Sequence, residues 1–522
     1  MERSFRDSMG WLHTWAGVVL GGVLFAIFWM GTLSVFDREI DRWMMPMTRL
    51  AVPASPVPFD ALRPTIAEAA AVRSPFWSAV LPTAREPTIR VAWRGPGGLV
   101  QRHLDPATGR ALPDAGTWAG TRFIFPFHVD LHIHAWTVGR WIVGLAGMAM
   151  MLLCISGVVI HRRLFADFFT FRAQARPGRL LLDLHNMAGA LGLPFYVAIS
   201  LSGVIIFYTT FFPGTWRTAY HGDNQAYGRE AFDIYSRPKA GKPGELASLD
   251  GMVAEARRSW DGAPARSIIV RHPGDAAAFV QVVRSADDGV VAAIDTVSFD
   301  GTDGSVLHRR VGSPPMLTAQ RFLVGLHWIQ FRHWTLRWLY FALGLGGCVL
   351  IASGYLFWLE SRRKRHEQLG LRGVRVVDGL AVGGVTGIVA ATFAFFLVNR
   401  LLPPGATVLG AERFAVEIWT FYLVWLAAFV HAWALPARAW RDQCLVIAVL
   451  AVTAVLSNWL TTGDHLLHSV RARHLWPVAG IDIALLAGAG LATLAARSPG
   501  RRASRPAVAR SIVRAASQGG SS

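Results

Sequence analysis

Cysteine is nearly absent: Cys154, Cys348 and Cys444 are the only three in 522 residues. All three lie inside or at the edge of apolar runs, so neither a disulfide framework nor a thiolate metal site is suggested. No Gly-x-Gly-x-x-Gly motif follows a strand-like segment, and no long polar stretch faces the side where basic residues gather, so the chain offers no place for a dinucleotide. Charge is sparse, at 16% of residues, and acidic residues are in deficit, 34 against 52 basic, for a net charge of +18. That excess would suit nucleic acid, but its distribution excludes such a partner. The arginines cluster beside apolar segments, as Arg162, Arg163, Arg172, Arg176 and Arg179, as Arg362, Arg363, Lys364 and Arg365, as Arg438 and Arg441, and from Arg497 to the end.

What is abundant is apolar surface: 52% of residues are hydrophobic and the mean hydropathy is +0.35. Eight segments reach the roughly 20 residues needed to cross a bilayer: 11–36, 137–160, 185–212, 334–358, 376–400, 413–435, 442–461 and 475–496. The first lacks a small-residue cleavage site and reads as an uncleaved anchor. With the N-terminus, Arg3 and Arg6 on the inner side, every basic connection falls inside, as the positive-inside rule requires. The expectation is a polytopic α-helical protein of a bacterial inner membrane, held in lipid, with both termini cytoplasmic.

Two long inserts face outward. In the first, 60–72 reads as a helix, with strands at 77–81, 88–93 and 99–104; in the second, 249–260 reads as a helix, with strands at 267–271, 278–284 and 290–299. Each fits one helix on a small antiparallel sheet. The flanking segments repeat as well. His13, Gly17 and Gly31 have the spacing of His185, Gly189 and Gly203, while Arg140, Trp141, Gly147 and Gly157 have that of Arg337, Trp338, Gly344 and Gly354. The unit of helix, outer α+β domain and helix therefore occurs twice. The expected parts are a first span (1–36), a first insert (37–136), two spans with an inner loop (137–212), a second insert (213–326), a fourth span with a basic end (327–366), four further spans (367–496) and a basic tail (497–522).

The motifs that carry this unit are Leu12-His13-Thr14-Trp15-Ala16-Gly17, Ile155-Ser156-Gly157-Val158-Val159-Ile160-His161-Arg162-Arg163, Asp183-Leu184-His185, Gly325-Leu326-His327 and Gly354-Tyr355-Leu356-Phe357-Trp358. Through them, residues 1–366 resemble the PepSY-associated transmembrane proteins. The resemblance implies PepSY-like outer domains and a likeness to bacterial inner-membrane ferrisiderophore reductases that carry b-type haem. The last four segments have no counterpart in it.

Neutral imidazole is a standard axial ligand of haem iron, and intramembrane ionisable side chains default to function. His13, His161 and His185 fall on the inner side and His132 and His327 on the outer. The repeat pairs His13 with His185 at an inner haem. His132 and His327, each after a Leu and before a duplicated Arg-Trp, pair at an outer one. His128, one turn from His132, can substitute for it, whereas His134 faces away. The counterpart of His161 is Trp358, which cannot bind iron, so His161 is ranked as a supporting residue or propionate partner that can also displace an inner ligand. Arg140, Arg162, Arg163 and Arg337 are propionate partners by charge or simple interfacial anchors. Two non-covalent haems b are expected, since no Cys-x-x-Cys-His is present. His465, His468, His474 and Asp464 form a polar loop or a weak metal site, and His431 and Asp482 a polar path or quinone contact.

These features favour a transmembrane electron carrier that takes electrons from a quinol or a cytoplasmic reductase. Its acceptor would be periplasmic, a ferric siderophore or a similar oxidant. The alternatives are a transporter, favoured by repeats and extra helices, and a PepSY-type interaction protein without haem.

Overall fold

The computed structural model describes residues 4–53, 55–161, 172, 176–292, 295–370 and 373–497. Arg162, Arg163 and the basic tail beyond Arg497 lie outside them. Among the described residues, eight helices are long and apolar enough to cross a membrane: Phe5–Ser34, Ala135–Ile160, Gly178–Ile206, Trp334–Arg362, Gly373–Leu401, Arg413–Ala434, Pro436–Thr462 and Arg473–Arg497. Their outward faces carry the apolar residues that lipid requires, such as Leu426, Leu460 and Leu491, each more than half exposed.

Two spans begin earlier than their hydropathy indicates. Ser4 caps the first, its hydroxyl accepting from the Asp7 amide. Pro177 opens the third helix, Pro177–Ile206, at a position that needs no N–H donor. His13 and His185 therefore sit about two turns inside their helices, roughly 12 Å from the start at about 1.5 Å per residue, where a helix opening on the histidine was expected.

Spans one to four close a ring in which each helix packs on the next and the fourth returns to the first. The fifth span is sunk between this ring and spans six and seven, and Trp29 Nε1 of the first span donates to Thr392 Oγ1 of the fifth at 2.9 Å. Its approach to span six relies on Gly379, Gly383 and Gly387, where any added Cβ would collide with Trp433, Phe429 or Ala428. This small-residue seam is the usual device for close helix packing in lipid, where burial gives little driving force.

The two inserts form one sheet, where two separate sheets were expected. Strands β1 (Phe76–Val80), β2 (Ile89–Gly95), β3 (Gly98–Leu104), β4 (Ala265–Arg271), β5 (Phe279–Arg284), β6 (Thr296–Asp300) and β7 (Val306–Arg310) run in the order β3-β2-β1-β4-β5-β6-β7. The joint is the antiparallel β1–β4 pair, with Ser78 opposite Ile269. Pairing β1 with its repeat counterpart hides the edge each half would otherwise expose. Strand β7, which follows the turn at 300–304, was not expected. Helices Arg63–Ala71 and Leu249–Arg258 cover one face, burying Trp77, Val91, Ile268, Val270, Val282 and Phe299 in a single core shared by both inserts.

The halves also cap each other. Asp60 accepts from the Leu249 amide at 3.0 Å and the Ser248 hydroxyl at 2.7 Å, while Asp250 accepts from the amides of Phe59 at 2.9 Å and Asp60 at 3.0 Å. Burial alone would raise the Asp60 pKa, but the bonds from Ser248 and Leu249, with Arg63 beside it, lower it to about 2. A depressed carboxylate stabilises the fold above its unfolded pKa, near 4, and loses that contribution as pH falls toward 2. The melting temperature of the intact protein is therefore expected to fall between pH 4 and pH 2 less steeply in Asp60→Asn than in the wild type. Equal slopes would show that the clamp carries no charge-dependent stability.

Candidate functional site

The ring of four spans holds two pairs of histidines at two depths. At the deeper level, away from the sheet, the His13 and His185 ring centroids are 6.2 Å apart and the planes are crossed at 88°. His185 Nδ1 lies 2.8 Å from the Leu350 carbonyl. His13 Nδ1 lies 3.0 Å from Ser156 Oγ, whose own proton goes to the Leu152 carbonyl at 2.8 Å. At the sheet-side level, His128 and His327 stack with centroids 5.8 Å apart and planes 23° from parallel. Their Nδ1 atoms each lie 2.9 Å from a carbonyl, Ile27 for His128 and Ile199 for His327.

A carbonyl only accepts, and the Ser156 hydroxyl has already donated, so all four rings carry their proton on Nδ1. Nε2 is then left with its lone pair, and it has no hydrogen-bond partner among the described residues. Metal-binding histidines are held in the same way, the far nitrogen donating to a carbonyl that fixes tautomer and orientation. Two imidazoles on one metal, with nitrogens about 2.0–2.1 Å from it, have centroids about 6 Å apart, the spacing of both pairs.

Each ring rests on a glycine of another helix, which explains four of the eight repeated glycines. A Cβ would stand 2.7 Å from His128 at Gly31, 2.8 Å from His327 at Gly203, 3.4 Å from His13 at Gly157 and 3.1 Å from His185 at Gly354. At the sheet-side pair a largely apolar cavity of about 320 Å³ opens between the helices, lined by Gly31, His128, Gly147, Gly203, His327 and Gly344. Cofactor pockets span roughly 300–1,000 Å³. At the sheet-side level the lining would suit a flat group held between two imidazoles. His13 and Ile27 are fourteen residues apart on one helix, which sets the two levels roughly 21 Å apart at about 1.5 Å per residue. Between them Tyr196 is fully buried, its ring 5.9 Å from that of Phe28.

The structure does not bring His132 to His327. The short helix Phe125–Asp130 ends in two left-handed residues, Leu131 (φ 55°) and His132 itself (φ 56°), which carry His132 out of the cavity. There Nε2 donates to the Phe123 carbonyl at 2.9 Å and Nδ1 accepts from the Tyr422 hydroxyl at 2.9 Å, so no lone pair remains. His128 takes the place facing His327. His134 is exposed, 3.7 Å from Asp130. His161 ends the second span, its amide bonded to the Gly157 carbonyl at 3.0 Å.

Arg337, expected beside a propionate, is fully buried and paired instead with Glu39 at 3.1 Å. Burial would raise the Glu39 pKa, but hydrogen bonds and charge from Arg85 and Arg337 lower it to about 2. Arg140 is exposed near the start of the second span, and its guanidinium lies 6.0 Å from the Phe207 ring. Asp464 is taken by Arg49 at 2.7 Å, His468 stands 3.7 Å from Asp464, and among the described residues no three His, Cys, Asp or Glu side chains converge as a metal site. His431 stands 3.8 Å from Asp442, and Asp482 accepts from Trp43 Nε1 at 2.8 Å.

A ring of four apolar helices with repeat-related histidine pairs and a duplicated sheet unit on one side defines a multi-pass membrane protein with a PepSY-like sheet domain beside its helices. The PepSY-associated TM region model matches residues 10–361, and the chain belongs to that family. It is also 28% identical over 348 residues to a Pseudomonas aeruginosa protein described only as uncharacterized, an alignment covering 62% of this chain and 84% of that one. The family match ends at the fourth span, so spans five to eight are an addition to it.

Proposed function

We propose that this protein is a transmembrane electron carrier that holds two haems b, one between His13 and His185 and one between His128 and His327. The observation that carries this reading is the set of four imidazoles with Nδ1 tied and Nε2 unengaged, paired at metal-spanning distance on two levels of one helix ring. Bound haem would supply one-electron redox chemistry. The chain's own contribution is orientation: carbonyls of Ile27, Ile199 and Leu350 fix three of the rings and Ser156 the fourth. The glycines beneath leave room for the rings, and the cavity's largely apolar walls disfavour water. His161, at the end of the second span, is assigned a supporting part near the deeper pair.

With the sheet in the periplasm and both termini in the cytoplasm of a bacterial inner membrane, electrons from a quinol or a cytoplasmic reductase would reach an outer acceptor. By resemblance to the family's reductases that acceptor is a ferric siderophore or similar oxidant. Purified protein from haem-replete cells is expected to show a b-type spectrum with about two haems per chain by pyridine haemochrome. A colourless preparation would reject the reading. Reporters fused after Ala115 and Ala247 are expected to be active only as periplasmic fusions, and cytoplasmic activity at either point would invert the orientation.

A further inference from the structure

A second cavity, of about 580 Å³, lies on the sheet side outside the ring, among the end of the fifth span, the segment after the helix Asp37–Met44 and the connection between spans seven and eight. Three buried arginines line it: Arg49, Arg400 and Arg413. Two have counter-ions. Arg49 binds Asp464 at 2.7 Å and Arg413 binds Glu417 at 3.0 Å. Arg400 makes no ion pair among the described residues, although it is only 6% exposed.

Arg400 is held by neutral groups. Its Nε and Nη2 donate to Asn399 Oδ1, Nη2 also donates to the Met44 carbonyl at 2.5 Å, and the guanidinium lies 5.1 Å from the Trp43 ring. Nη1 has no hydrogen-bond partner among the described residues. The nearby carboxylates are turned elsewhere: Glu417 accepts from Thr117, Asn399 and Arg413, and Asp482 from Trp43 and Asn458. The carbonyl end of the fifth helix favours a cation there but supplies no acceptor to Nη1. A buried cation without a counter-ion is costly, and a guanidinium fork is the group best shaped to receive an oxyanion. His468 and His474 stand exposed at the rim, and Leu402, Pro403 and Leu475 give the cavity an apolar wall.

We propose that this cavity binds a phosphate oxyanion through Arg400. The site stands apart from both histidine pairs and does not depend on haem. Its position beside the ends of two spans admits either the headgroup of an anionic lipid or free phosphate. The test is a titration of the intact protein in neutral detergent, followed by melting temperature. One arm adds phosphatidylglycerol against phosphatidylcholine of the same chains, and the other adds inorganic phosphate against chloride at equal ionic strength. A saturable stabilisation is expected in the wild type, by phosphatidylglycerol alone if the source is lipid and by both phosphates if the headgroup chemistry suffices. Arg400→Gln should weaken it about tenfold or more, and Arg400→Lys severalfold, because an ammonium lacks the fork. No specific response in the wild type would overturn the proposal, as would unchanged affinity in either variant. If Arg400→Gln fails to fold, the wild-type titration and Arg400→Lys still decide.

Discussion

Replacing His128 with alanine is expected to remove one of two haems, whereas His132→Ala should keep both. The histidines are four residues apart at the end of one short helix and a sequence reading favours the second, so the experiment separates local spacing from the tertiary arrangement. His128 lines the cavity with Nδ1 tied to the Ile27 carbonyl and no partner for Nε2 among the described residues, while the His132 lone pair receives the Tyr422 hydroxyl. His327→Ala should match His128→Ala, and His13→Ala and His185→Ala should each remove the other haem, the two levels being roughly 21 Å apart. Any of these four losses should stop electron flow from an inner donor to an outer acceptor. His161→Ala should retain both haems and shift only potential or rate, as supporting groups do. The measurement is haem-to-protein ratio with a redox titration for each variant. Loss of a haem in His132→Ala with retention in His128→Ala would refute the sheet-side assignment.

Glu39→Gln is expected to destabilise the protein by about 3–5 kcal/mol, the cost of leaving a buried charge without its partner. Glu39 and Arg337 are almost wholly buried, and Arg85 adds a second guanidinium to the same carboxylate at 2.9 Å. Arg85 and Arg337 also donate to the Val35 carbonyl, so this network joins the end of the first span, the start of the fourth and a loop of the first insert. Its loss should loosen the sheet from the helix ring. Glu68→Gln is the control, because the Arg102–Glu68 pair is nearly half exposed and such pairs contribute about 0–1 kcal/mol. Thermal unfolding of the two variants in one detergent checks the contrast. Equal, small shifts would show that the buried network holds nothing together.

The eight spans were legible because an apolar run of the right length has few other uses. The repeat was legible because its histidines and glycines keep their spacing through two copies. The deeper pair followed directly, since His13 and His185 occupy equivalent places in equivalent helices and symmetry brings equivalents together. One helix and three strands of each insert could be read from period and turn residues, whereas β7 and the helices Asp37–Met44, Pro213–Ala219 and Asn224–Phe232 could not.

What the sequence by itself determined is thus local or repeated: spans, strands, the doubled unit and the symmetric pair. Tertiary structure alone decided how distant parts meet. The β1–β4 joint depends on an edge offered by each insert, which no local pattern announces. The choice of His128 over His132 depends on Leu131 adopting a left-handed turn and on Tyr422, nearly 300 positions away, capturing the wrong ring. Arg337, read as a propionate partner or an interfacial anchor, is paired with Glu39, and Arg400, which no sequence pattern singles out, has no counter-ion among the described residues because the acids around it are engaged elsewhere. A side chain's chemistry is set by which donors, acceptors and charges the fold places against it, and periodicity carries no record of partners so far along the chain.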